Sequence, residues 1–205
     1  VIGVIGDKEL FSGDEIKKCY TLEELAGSAL RCRRCGLREG CRGVVFGKGN
    51  PQAGLMFIGE GPGAEEDKQG LPFVGAAGQL LDKIIAAAGY SPSDVYIANI
   101  VKCRPPGNRA PGREEADACR PWLIRQIELI NPAVIVLLGS VALQHMVDPN
   151  GRITKMRGQW IEKEGIEWMP TYHPAALLRD ETKKRPVWED IKKVRDRYNE
   201  IVKSI

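Results

Sequence analysis

Long apolar runs are missing from this chain: no stretch approaches about 18 consecutive apolar residues, the length a membrane-spanning helix needs. Residues 1–6 are mildly apolar but lack the basic start and extended apolar core of a signal peptide. The first residue is Val1 rather than Met, which reads as a processed or trimmed start. Six cysteines in 205 residues are too few for a disulfide-stapled scaffold, so their grouping must explain them. There is no internal repeat and no low-complexity tract. Charge of one sign is not in excess either: 30 basic against 27 acidic residues leave a net +3. That balance does not by itself mark a nucleic-acid binder, although a small positive surplus can still be gathered on one face.

What is present is ordinary for a globular domain: 43% hydrophobic and 28% charged residues, in a length for which one domain is the default. Residues 1–20 read as a weakly patterned lead-in, and residues 21–205 as the single domain. Thr21 with Glu24 three residues on forms a capping-box pattern ahead of Leu22, Leu25 and Leu30, so a short helix is expected over residues 21–30. Strands are expected at residues 55–58, 95–101, 133–138 and 168–172. Helices are expected at residues 79–88, 113–130, 141–146 and 186–202. In the second of these Ala116, Cys119, Leu123, Ile127 and Ile130 share a face. His145 in the third reads as a surface or packing residue. This alternation predicts a three-layer αβα sandwich around a central, mostly parallel four-stranded sheet. Ligands bind at the carboxyl ends of such strands, which directs attention to the loops after Ile58, Ile97 and Tyr172.

Cys32 and Cys35 form a C-x-x-C pair in a basic loop, and Cys103 and Cys119 supply two more thiols. Four thiolates suit zinc or an iron–sulfur cluster, and spacing does not choose between them. Cys41 is a rival fourth ligand, and Cys19 reads as an ordinary thiol. After the first strand comes Gly59-Glu60-Gly61-Pro62-Gly63-Ala64-Glu65-Glu66-Asp67. Its glycines let the backbone approach a ligand. The dinucleotide G-x-G-x-x-G pattern fails, no Walker lysine follows, and three carboxylates would repel a phosphate, so no nucleotide cofactor is expected.

Five ordered segments carry a specific likeness: the glycine-rich segment just quoted, Gly70-Leu71-Pro72-Phe73-Val74-Gly75, Asn99 through Asn108, Ala118-Cys119-Arg120-Pro121-Trp122, and Pro170-Thr171-Tyr172-His173-Pro174-Ala175. With Cys32-Arg33-Arg34-Cys35 they make the chain, from about Thr21 onward, resemble the family-4 uracil-DNA glycosylases, the iron–sulfur branch of the uracil-DNA glycosylase superfamily. The resemblance implies a 4Fe–4S cluster on Cys32, Cys35, Cys103 and Cys119. It implies a uracil pocket built from Gly61, Phe73, Asn99 and His173. It further implies hydrolysis of the bond between uracil and deoxyribose in base excision repair, leaving an abasic site. The expected partner is uracil-containing DNA, single- or double-stranded. The expected setting is cytoplasmic and nucleoid-associated, without membrane attachment, and the expected state is a monomer.

The residue types suit that chemistry. A flipped base needs a flat platform, which Phe73 offers. The Asn99 amide complements the O4 acceptor and N3–H donor of uracil. A donor from His173 aimed at O2 stabilises the departing anion, and a neutral imidazole suffices. Glu66 or Pro62 is the candidate for excluding the C5 methyl of thymine. Where the best-known branch has a water-orienting Asp, this chain has Gly61, and the nearest carboxylate is Glu60. Glu60 either positions water and helps electrostatically or braces the loop. Leu177 or Leu178 is the candidate wedge into the base stack. Arg179, Lys183, Lys184 and Arg185 are candidate phosphate contacts, with Arg33, Arg34, Lys102 and Arg104 adding to a basic side. The cluster reads as a staple that pins the loop beside Asn99. A related branch that captures DNA covalently carries a histidine-containing insertion, and residues 108–113 hold no histidine. A non-catalytic iron–sulfur nucleic-acid-binding or polymerase-associated domain of the same fold is the alternative of another class.

Overall fold

A computed structural model of the chain describes residues 14–203, so residues 1–6, where a signal peptide was sought, lie outside it. In chain order the elements are α1 (Asp14–Lys17), α2 (Leu22–Ala29), α3 (Leu37–Gly40), β1 (Lys48–Gly49), β2 (Leu55–Gly59), α4 (Ala64–Gln69), α5 (Ala76–Ala87) and β3 (Val95–Asn99). They continue as α6 (Arg113–Ile130), β4 (Val134–Leu138), α7 (Ser140–Met146), α8 (Ile153–Met156), β5 (Ile161–Lys163), β6 (Ile166–Thr171), α9 (Pro174–Arg179) and α10 (Lys184–Lys203).

The apolar runs become parallel strands because both of their faces are covered. β3, β2, β4 and β6 pair in parallel, in that order. Met56, Ile58, Tyr96, Ala98, Ile135 and Leu137 pack with Leu25 of α2, Leu123 of α6 and Leu143 of α7. Their neighbours Leu55, Phe57, Val95, Ile97, Val134 and Val136 pack with Leu81 of α5 and Ile191 of α10. The period-two alternation of a strand thus divides each run between two apolar layers. The expected four-stranded sheet is corrected to six strands among the described residues. β1 and β5 add antiparallel edges of two and three residues, too short to leave an alternation in the sequence.

The capping box at Thr21 forms, with the Glu24 amide donating to the Thr21 hydroxyl at 3.2 Å. α5 begins at Ala76, ahead of the expected residue 79, because its first turn is too small and polar to enter the apolar pattern. Within the stretch read as a lead-in, Ile16 and Cys19 are buried in the core, and the Arg125 guanidinium on α6 donates to the Cys19 carbonyl at 2.8 Å. None of the described helices is long and apolar enough to cross a membrane.

Two neighbours of β2, namely β3 and β4, are reached by crossovers in opposite directions. The carboxyl ends of β2, β3 and β6 therefore open around a topological switch point, which is where an α/β sheet binds its ligand.

Candidate active site

Gly59 and Asn99 are register partners at the ends of β2 and β3. Gly59 is there because nothing larger fits: a Cβ would stand 2.5 Å from the Phe73 ring and 2.6 Å from Asn99 Oδ1. The same fact shows that Phe73 and Asn99 converge. The Phe73 and His173 ring centroids lie 5.6 Å apart at an interplanar angle of 30°. Three residues 26 or more positions apart in sequence thus share one corner of the sheet. Asn99 is 2% exposed, and its Oδ1 is buried without a hydrogen-bond partner among the described residues. A buried acceptor left unpaired costs about 1–3 kcal/mol, so its presence points to a ligand that supplies the donor.

The Phe73 platform is held under strain. Its backbone adopts φ +52°, a left-handed conformation that a bulky residue rarely takes. Three contacts impose it. Lys48 on β1 donates Nζ to the Phe73 carbonyl at 3.0 Å. Glu66 Oε1 accepts the Val74 and Gly75 amides, each at 2.8 Å, while its Oε2 accepts the Gly63 amide at 3.2 Å. Gly78 on α5 lets the Phe73 backbone pass so close that a Cβ would meet its carbonyl at 2.1 Å. Both carboxylate oxygens of Glu66 are therefore occupied in joining the first loop to the second. Nothing in the sequence pattern singled out Lys48 or Gly78.

His173 caps α9. Its Nδ1 accepts the Ala175 amide at 3.1 Å, so the proton of the neutral ring resides on Nε2. Only part of the ring surface meets solvent. Burial, reinforced by the positive charge of Arg179, lowers the pKa of the ring to about 4, with Glu66 opposing. The imidazole is a neutral Nε2–H donor at ordinary pH. Thr171, two residues earlier, donates its hydroxyl to Asp190 on α10 at 2.6 Å, and Arg157 pairs with the same carboxylate. This buried network ties the end of β6, and hence His173, to α10. Glu60 is half-buried, and desolvation raises its carboxyl pKa while Arg179 opposes the rise. A Cβ at Gly61 would stand 2.7 Å from Val101 Cγ2, so an aspartate here would displace a stiff β-branched neighbour.

Cys32, Cys35, Cys103 and Cys119 line one cavity together with Arg34, Arg38, Lys102 and Trp122. Cys41 is not among the lining residues. No three His, Cys, Asp or Glu side chains among the described residues gather tightly enough for one metal ion. The donors around the cavity suit an electron-rich group. Trp122 Nε1–H points at Cys32 Sγ at 3.3 Å, and the Lys102 amide points at Cys119 Sγ at 3.3 Å. Arg38 Nε is buried with no partner among the described residues. Burial raises the thiols of Cys35, Cys103 and Cys119, the last to about 11, with the nearby Lys102 charge opposing the rise at Cys119.

The candidate DNA face is sorted by exposure. Leu178 is 51% exposed, whereas Leu177 is 2% exposed and belongs to the core, which removes it as a wedge. Arg179 is exposed beside His173 and Glu60. Lys183, Lys184 and Arg185 are partly neutralised by Asp180, Glu181 and Glu189 at 2.7, 2.6 and 3.2 Å. Lys102, expected on a basic outer side, is instead 2% exposed and turned inward.

Residues 46–192 match the family model for the uracil DNA glycosylase superfamily. The chain belongs to that superfamily. Among curated proteins it is 47% identical to the Type-4 uracil-DNA glycosylase of Thermotoga maritima, over 86% of this chain and 96% of that one. It is 43% identical to the Type-4 uracil-DNA glycosylase of Sulfurisphaera tokodaii, over 86% and 84% respectively. With the Type-4 uracil-DNA glycosylase of Pyrobaculum aerophilum it shares 42% identity, over 77% and 85%.

Proposed function

We propose that this chain is a Type-4 uracil-DNA glycosylase, which takes uracil out of the DNA stack and hydrolyses its N-glycosidic bond. The observation that carries the reading is the orphaned, buried Asn99 Oδ1, which converges with the Phe73 ring over Gly59, while the neutral His173 ring lies 5.6 Å from that of Phe73. Uracil N3–H supplies the missing donor, and its O4 accepts from the Asn99 amide nitrogen. Cytosine has no hydrogen on N3 and an amino group at C4, so both contacts fail, at about 1–3 kcal/mol each. The base stacks on Phe73. Glu66 serves it indirectly by fixing that platform, and Gly61 keeps the wall beside Val101 clear.

As the C1′–N1 bond breaks, its electron pair leaves with N1 and spreads onto O2. His173 Nε2–H donates there. Water adds to the cationic C1′ and gives its proton to solvent or to the released base. Glu60, whose carboxylate is not taken up by backbone donors as that of Glu66 is, stabilises the sugar cation and orients that water. Leu178 fills the vacated stack, and Arg179 with Lys183, Lys184 and Arg185 meets phosphates.

Cys32, Cys35, Cys103 and Cys119 would hold a 4Fe–4S cluster. When bound it supplies a staple between an early loop, the loop after β3 and α6. The substrate is uracil-containing DNA, single- or double-stranded, met by a monomer at the nucleoid without a nucleotide cofactor. The test is abasic-site formation on an oligonucleotide carrying one uracil, with cytosine and thymine controls. Strand cleavage after alkali is expected only with uracil, and its absence would overturn the reading.

A further inference from the structure

Lys102 is a buried charge, 2% exposed, to which the reaction as described gives no work. Its ammonium group meets two hydrogen-bond acceptors and one aromatic face. Nζ donates to the Asn99 carbonyl at 3.0 Å and to Gln126 Oε1, and it faces the Phe46 ring with Nζ 5.9 Å from the centroid. Gln126 is itself fixed, because its Nε2 donates to the Phe46 carbonyl at 3.0 Å and to the Tyr96 hydroxyl at 3.2 Å. Gln126 is fully buried on the apolar face of α6, where a leucine would serve packing better. The Lys102 amide meets Cys119 Sγ, and its carbonyl accepts the Val45 amide at 2.7 Å. A single residue therefore grips the peptide of the base-reading asparagine, the middle of α6 and a cavity cysteine.

Burying an ammonium is costly, and an apolar residue of similar volume usually gives an equal or better core. What the apolar residue lacks is a directional hold on the Asn99 carbonyl. The Asn99 amide plane turns with its own backbone, and its Oδ1 is the atom whose aim decides which base fits. We propose that Lys102, set by Gln126, is a positioning residue that fixes the Asn99 backbone and so the aim of its carboxamide at the base. This rests on the uracil-excision reading and extends it to two residues that never touch substrate.

The test uses the full chain with its cluster in three forms: parent, Lys102→Met and Gln126→Met. Four quantities are measured: single-turnover excision of uracil, affinity for abasic-site DNA, visible cluster absorbance and thermal midpoint. Loss of aim alone is expected to slow excision about 10- to 100-fold, with abasic-DNA affinity within about twofold of the parent, since the phosphate contacts and Leu178 are untouched. Cluster absorbance per chain is expected to stay at the parent value. Gln126→Met leaves Lys102 in place, and it decides the matter alone if Lys102→Met does not fold. Excision within about twofold of the parent in the folded variants would overturn the proposal. So would a loss of excision that tracks loss of absorbance, because Lys102 would then act only through the cysteines. A parent that excises nothing would instead overturn the uracil reading, and this proposal with it.

Discussion

His173 is asked to give a hydrogen bond without ever being an acid. The folded ring takes up a proton near pH 4, whereas an ordinary histidine does so near 6.5. Two consequences follow. The single-turnover rate is expected to stay level through pH 6.5 and to fall only as pH approaches 4; an inflection near 6.5 would show that the imidazolium is the working form. The unfolded chain binds this proton at higher pH than the folded one. The contribution of the ring to stability is therefore full above 6.5 and drains away as pH falls toward 4. Arg179 is the second cause of the depression, after burial. Arg179→Met should shift the His173 imidazole titration upward, read by NMR against His145, while burial keeps it below the ordinary value. Replacing His173 by Ala removes the donor itself and should slow cleavage by about 10²–10³-fold, the usual cost of one such donor. Asn99→Ala should lose rate and base discrimination together, because one amide serves both.

Helix α9 shows how one turn can divide labour between neighbouring residues. Leu177 and Leu178 are indistinguishable by type, and only the helical phase sends the first into the core and the second to solvent. Leu177→Ala should cost about 2–5 kcal/mol of stability in chemical denaturation, as core truncations do. Leu178→Ala should leave stability within about 0.5 kcal/mol and slow excision from duplex more than from single-stranded DNA, where no stack needs filling. A duplex-to-single-strand rate ratio equal to that of the parent would remove Leu178 as a wedge. The same division explains what could be read from the sequence. α6 was legible from Arg113 to Ile130 because its apolar face repeats over five turns and ends before Pro132. Asn99 stood out as a polar residue near the end of an apolar strand, whereas His173 was reached through the resemblance carried by residues 170–175. The strained Phe73 backbone was not legible, because Lys48, Glu66 and Gly78 impose it through contacts that no local pattern encodes. The inward turn of Lys102 was hidden for the same reason: in sequence it belongs to a basic tract, and only Gln126, 24 residues on, reveals its place.

Across the whole molecule, the sheet brings together groups that the chain keeps far apart, and the four-cysteine cavity sits where the loop after β3 meets α2 and α6. The site and the cavity share that loop: Asn99 faces one, Cys103 the other, and Lys102 lies between. Holding the cysteines should therefore steady the base-reading corner without any electron transfer. The fifth nearby thiol makes this testable. Cys41 Sγ lies 3.7 Å from the Arg38 carbonyl and 3.8 Å from its guanidinium, and it adjoins the Cys103 thiol although it does not line the cavity. If Cys32, Cys35, Cys103 and Cys119 are the ligand set, Cys41→Ser should keep the visible absorbance, iron content and excision rate of the parent. Cys119→Ser should lose absorbance and iron, melt at a lower temperature and excise more slowly. Should Cys41→Ser turn colourless while Cys119→Ser stays brown, Cys41 would replace Cys119 in the set, and the staple would close within the early loop instead of reaching α6.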